Sequence, residues 1–178
     1  MTEEELCHGG RIYVCHIPCA WGEFLVAATD KGICRMAITN NRDSALIKLR
    51  SQFHAFSILP AEKILFDQLT TQIHSTLRGE PAAGLQLHLH CSDFQHKIYE
   101  SLLRIPYGYL ASYTQVATMA GFPKALRAAG TAIGKNPVAI LIPCHRVIPA
   151  DGSLGNYHYG PAIKQELVSL EIRKHLHF

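Results

Sequence analysis

The chain has 178 residues, 48% of them apolar, with a formal net charge of +3 and a mean hydropathy of +0.06. These values exclude a disordered or collagen-like chain, and no apolar stretch nears the ~20 residues that a membrane-spanning helix needs. The length suits one domain or two small ones with a sizeable core.

The opening segment, Met1-Thr-Glu-Glu-Glu-Leu6, is acidic where a secretory signal needs positive charge. A cytoplasmic protein is therefore expected, with its six cysteines (7, 15, 19, 34, 91 and 144) as free thiols. Residues 11–17 and 23–28 have strand composition, Thr29-Asp-Lys-Gly32 is a turn, and residues 33–38 begin a third strand. Together they predict an antiparallel meander. Asp43 is the expected cap of a helix reaching about His54, and Pro60 the expected start of another. Leu65, Leu69, Ile73 and Leu77 recur every four residues in that second helix, until Arg78-Gly79 stops it. Leu85-Gln-Leu-His-Leu-His90 alternates as a half-buried strand. Cys7, His8, Cys15, His16 and Cys19 have the right chemistry for a metal, but their spacing matches no zinc pattern. Cys15 and His16 would also face opposite sides of a strand. No metal is expected.

A boundary near residue 90 separates this sheet-rich module, residues 1–90, from a helical one, residues 91–178. The first carries a net charge of −1 and the second +4. Between Glu100 and Asp151 there is no acidic residue, while Arg104, Lys124, Arg127, Lys135 and Arg146 fall there. Such a segment suits a polyanionic partner, and equally an ordinary solvated face. Ser92-Asp-Phe-Gln95 is a capping box before a helix through Leu103, and Ser112-Tyr-Thr-Gln115 opens a short helix ending at Gly121. Pro123 then starts a helix over residues 124–133, closed by Gly134 and the Asn136-Pro137 pair. Two short helices joined by a glycine-bearing turn have the pattern of a helix-turn-helix. The second is built of small residues, among them Ala125, Ala128, Ala129, Gly130 and Ala132, with Arg127 standing above them. That slimness fits tight packing on a neighbouring helix, and it fits a narrow DNA groove.

Val138-Ala-Ile-Leu-Ile142 reads as a buried strand that ends at Pro143 and delivers Cys144 and His145. A thiol beside an imidazole is a candidate nucleophile, since a basic neighbour raises its thiolate share. The same cysteine also suits a small buried hydrophobe. After the turn at Asp151-Gly152, Pro161 starts a final helix reaching about Lys174.

Over most of residues 92–174 the chain closely resembles the O6-alkylguanine-DNA alkyltransferases, or methylated-DNA–protein-cysteine methyltransferases. The matching residues are Phe94-Gln95, Ile105-Pro-Tyr-Gly108, Ser112-Tyr113, Pro123-Lys-Ala-Leu-Arg127, Asn136-Pro137, Ile142-Pro-Cys-His-Arg-Val147, Gly155-Asn-Tyr157, Lys164 and Glu171. Asp30-Lys-Gly-Ile-Cys34 extends the likeness weakly into the first module, on the bacterial branch. The resemblance implies an α+β fold, with a ribonuclease-H-like three-stranded antiparallel sheet and helices followed by a helical domain with a winged-helix-like helix-turn-helix. It implies a monomer that acts without a cofactor on double-stranded DNA containing O6-alkylguanine (or O4-alkylthymine) and away from any membrane.

By the same likeness Cys144 takes the alkyl group, His145 accepts the thiol proton through a water, and Glu171 orients the imidazole. Arg127 fills the gap left by the flipped base, Tyr113 promotes flipping and assists the leaving guanine, and Asn136 is the hinge to the active-site loop. Lys124, Ala128, Gly130 and Lys135 complete the DNA-binding face. Ala139, Val147, Tyr157, His158 and Lys164 form or support the substrate pocket, with Ala139 standing where some relatives carry proline. Two other readings compete: a sensor of alkylated guanine that performs no chemistry, and a Cys-His acyl-transfer enzyme.

Overall fold

The structure is a computed structural model and describes residues 1–80 and 84–175. The chain divides into two compact units, residues 1–76 with 84–90, and residues 77–80 with 91–175.

In the first unit, β1 (Arg11–Cys19), β2 (Gly22–Thr29) and β3 (Gly32–Thr39) form the expected antiparallel meander. A short α1 (Glu3–His8) precedes it, held by a capping box between Thr2 and Glu5. Four expectations change here. The sheet has four strands, in the order β3-β2-β1-β4, because β4 (Ser57–Pro60) pairs parallel to β1. Pro60 therefore ends a strand instead of starting a helix, and it sits on an edge where its missing N–H costs no ladder bond. Leu85–His90 is not a strand: it bridges Ile33 through Leu87, the Ile33 N–H donating to the Gln86 carbonyl and the His88 N–H to the Ile33 carbonyl, both at 2.9 Å. α2 (Arg42–Gln52) is capped by Asn41, whose side chain accepts the Ser44 N–H, and not by Asp43. One core cluster joins Ile12, Val14, Leu25, Ala27 and Cys34 of the sheet to Leu49 and Phe53. α3 (Lys63–Leu77) follows, burying Leu69 and Ile73 as its four-residue repeat requires.

In the second unit α4 (Asp93–Leu103), α5 (Tyr113–Met119) and α6 (Leu126–Gly134) pack on one another. Both capping boxes form as read, Ser92 with Gln95 and Ser112 with Gln115. Ile98, Tyr99, Leu102, Val116, Ala129, Ala132 and Ile133 fill the space between the helices, and the Tyr99 hydroxyl donates to the Ala132 carbonyl at 3.3 Å. β5 (Ala111–Ser112) and β6 (Val147–Ile148) form a two-stranded parallel ribbon, and α7 (Pro161–His175) packs on the turn that carries Cys144. Among the described residues no helix is long and apolar enough to cross a membrane, and no group of three His, Cys, Asp or Glu side chains is placed to hold a metal ion.

Candidate active site and nucleic-acid interface

The segment Val138–Ile142 is buried, as its composition requires, but it is not a strand. It folds into two three-residue turns of opposite hand. The Leu141 N–H donates to the Ala139 carbonyl at 2.8 Å across Ile140, whose φ is +71°. The Cys144 N–H donates to the Ile142 carbonyl at 2.8 Å across Pro143, at φ −81° and ψ 61°. Both have the i to i+2 bond of a γ-turn, and a β-branched residue at positive φ is strained. A buried strand would need partners on its edges. Here Asn136, just past the end of α6, takes their place. Its Nδ2 donates to the Ile142 carbonyl at 2.7 Å and to Cys144 Sγ at 3.1 Å, while its Oδ1 accepts the Val138 N–H at 3.0 Å.

Cys144 opens a short 3-10 turn, Cys144–Arg146, which drives the next two side chains inward. His145 is fully buried, and its Nε2 lies 2.7 Å from Glu171 Oε1. Its Nδ1 has no hydrogen-bond partner among the described residues. Arg146 grips the same carboxylate, Nε to Oε2 at 2.8 Å and Nη2 to Oε1 at 3.1 Å, and its Nη1 donates to the Ile105 carbonyl at 2.7 Å. Burial alone would raise the Glu171 carboxyl, but the hydrogen bonds from His145 and Arg146 outweigh it and hold the group down at about 2. Burial pushes the Cys144 thiol up and the His145 imidazole down, against the pull of Asn136 on the one and Glu171 on the other. Both groups therefore rest neutral near pH 7. Lys164 is buried behind them and donates to the Val147 carbonyl at 2.6 Å.

Cys144 lies half-buried in a cavity of ≈ 320 Å³, within the range of small-ligand pockets. Of the expected site residues, Tyr113, Gly130, Asn136, Ala139, Tyr157 and His158 line it with Cys144. Val147 and Lys164 do not; they meet each other beneath the loop. Ile133, Gly134, Asn156 and Tyr159 line it as well, and sequence reasoning had not singled them out as pocket residues. The Tyr157 and Tyr159 rings meet edge-on at 5.5 Å, and His158 stands against Tyr159 at 4.8 Å. Gly130 faces Tyr113, where an added Cβ would come within 3.9 Å of the ring.

The outer face of α6 adjoins this cavity. Ala129, Ala132 and Ile133 turn inward, leaving Arg127, Ala128, Thr131 and Gly134 exposed at helical spacing, with Lys135 beyond the helix end and Lys124 before its start. Arg127 makes no hydrogen bond or ion pair through its side chain among the described residues. Arg104, Lys124, Arg127 and Lys135 are exposed, whereas Arg146 is internal. The acid-free segment thus offers four surface cations, not five. The missing signal was Glu171, too distant in sequence for the pairing to be read.

Residues 93–173 match the family model described as the DNA-binding domain of 6-O-methylguanine DNA methyltransferase. A methylated-DNA–protein-cysteine methyltransferase of Methanosarcina barkeri is 35% identical over 151 residues, covering 84% of this chain and 90% of that protein. The bifunctional transcriptional activator/DNA repair enzyme Ada of Escherichia coli is 34% identical over 175 residues, 96% of this chain and 49% of Ada, so the chain spans about half the length of that relative. Among solved structures, Mycobacterium tuberculosis OGT in complex with DNA superposes with a TM-score of 0.72 at 30% identity, covering 92% of this chain and 94% of that one.

Proposed function

The chain belongs to the methylated-DNA–protein-cysteine methyltransferase family, and from that membership we propose that it repairs DNA by direct reversal, moving a methyl or other alkyl group from guanine O6 (or thymine O4) onto its own Cys144. The observation that carries this reading is the place of the sulfur, in a cavity whose wall includes Gly130, Ile133 and Gly134 of the slim helix α6.

The target base has to leave the duplex before its alkyl carbon is reachable. The exposed small face of α6 suits a minor groove, and Arg127 is long enough to occupy the space that the base vacates. Tyr113 and Gly130 flank the entry for the flipped base. Cys144 Sγ then attacks the alkyl carbon, forming the S–C bond as the C–O6 bond breaks. The thiol proton goes to His145 Nδ1 through an intervening water, and Glu171 balances the imidazolium that results. Tyr113 donates a hydrogen bond to the departing guanine, stabilising the charge developing on it. The thioether is stable, so each molecule acts once, and the displacement needs no cofactor. Asn136 couples the end of α6 to the loop that carries the sulfur.

On this reading residues 91–178 are the DNA-binding and alkyl-transfer domain and residues 1–90 a ribonuclease-H-like module. The protein works as a cytoplasmic monomer on double-stranded DNA. The test is incubation with a duplex oligonucleotide containing O6-methylguanine, followed by intact mass and peptide mapping. One methyl gained on Cys144, absent from a Cys144→Ala variant that still binds the duplex, supports the proposal. Binding with no gain in the parent protein supports a sensor in its place, and a methyl on any other residue removes Cys144 as the nucleophile.

A further inference from the structure

The reaction as written leaves one buried polar group in the cavity without a task. The Tyr157 hydroxyl is buried and lacks a completed hydrogen bond among the described residues. It shares the cavity with Cys144, and it lies near enough to interact with the sulfur. The edge-on contact with Tyr159 restrains its ring. An unpaired hydroxyl in a site shielded from water is costly, so its retention calls for an acceptor that arrives during the reaction.

The other titratable groups around the sulfur are already committed. Tyr99 of α4 gives its hydroxyl to the Ala132 carbonyl, Lys164 of α7 gives its ammonium to the Val147 carbonyl, and His145 holds Glu171. Tyr113 of α5 faces the substrate. Among the described residues Asn136 is the one side-chain donor whose hydrogen bond to the sulfur is complete, at 3.1 Å. We propose that the Tyr157 hydroxyl is the second donor to the Cys144 sulfur, engaging as the thiol ionises, so that the nucleophile forms between an amide and a phenol. Tyr157 transfers no proton; the thiol proton still leaves through His145. Burial pushes the phenol's own ionisation far up, so it stays a donor throughout the working pH range. Its effect on turnover rests on the alkyl-transfer reading, but its effect on the sulfur is measurable without DNA.

Peptide-resolved alkylation of Cys144 by iodoacetamide across pH reads the ionisation of the thiol directly. Tyr157→Phe, which removes one oxygen, is expected to raise the midpoint by about one pH unit, an approximately tenfold slowing below it, since one unit is a factor of ten in ionisation. Single-turnover methyl transfer from an O6-methylguanine duplex should slow by a similar factor. Placing 3,5-difluorotyrosine, a stronger donor, at position 157 should move the midpoint down, and this variant decides the matter if the phenylalanine protein does not fold. Unchanged midpoints in the folded variants overturn the proposal. So does a loss of transfer with an unchanged midpoint, which assigns the hydroxyl to the substrate. A parent protein that takes no methyl while the midpoints still move would reject the repair reading and leave this assignment standing.

Discussion

Replacing Glu171 with glutamine removes a single charge from a carboxylate that faces His145, both Nε and Nη2 of Arg146, and the Gly108 N–H. The magnitude follows by two routes. Truncating one partner of a buried ion pair leaves the other uncompensated, at a cost of about 3–5 kcal/mol. Independently, the carboxyl is held at about 2 against an ordinary value of 4.5, and that depression corresponds to about 3 kcal/mol of stability at pH 7. The folded value lies below the unfolded one, so this contribution is present above pH 4.5 and is lost as pH falls toward 2. Urea unfolding of the parent protein and Glu171→Gln should therefore differ by about 3 kcal/mol at pH 7 and by only about half that at pH 3. Comparing the two proteins cancels the other acids, Glu5 among them, that also titrate low. A gap below about 1 kcal/mol at pH 7, or one that stays constant down to pH 3, would refute the reasoning. Methyl transfer by the variant should slow by about 100-fold, the lower end of what general acid–base catalysis contributes, because His145 loses the carboxylate that balances its charge.

Asn136→Ala strands the Val138 N–H and leaves the Ile142 carbonyl with only the Cys144 N–H, and should cost about 2 kcal/mol in urea unfolding while slowing methyl transfer; unchanged transfer would free the loop from Asn136. Arg127→Ala should slow repair of duplex DNA far more than reaction with free O6-benzylguanine, and equal losses in the two assays would reject its part in flipping. Duplex affinity should fall with salt at a log–log slope of about −3 if Arg104, Lys124 and Lys135 each meet a phosphate while Arg127 enters the duplex, and Lys124→Ala with Lys135→Ala should flatten it by about 2; a slope that ignores the pair places the DNA elsewhere.

Local signals in the sequence were accurate at the two capping boxes, where each partner lies within one helical turn, although the same kind of signal pointed to Asp43 where Asn41 caps α2. Ser92 with Gln95 and Ser112 with Gln115 announced α4 and α5, and the small residues of α6 marked its slim face. The same rule, applied to Thr2 and Glu5, would have found α1, which the acidity of the segment concealed. Legibility ended where the partner is distant. Val138–Ile142 has the composition of a strand, and periodicity alone cannot tell a buried strand from buried turns held by one asparagine side chain. β4 is four residues long, includes a proline, and exists because β1 offers it an edge. Tyr159 and Asn156 reach the cavity only because the loop after Gly152 folds back over Cys144. The family resemblance named Cys144, His145, Glu171 and Asn136, but only the fold shows that they meet as two pairs, Asn136 with Cys144 and His145 with Glu171.

On the alkyl-transfer reading the protein is consumed by its own reaction and must keep its sulfur intact while it searches. With the thiol pushed up and the imidazole pushed down by the same burial, the idle pocket holds little standing thiolate. Peroxides and stray electrophiles, which react through that anion, find an unreactive target. On that reading the stock of active molecules declines with the number of lesions met and not with time.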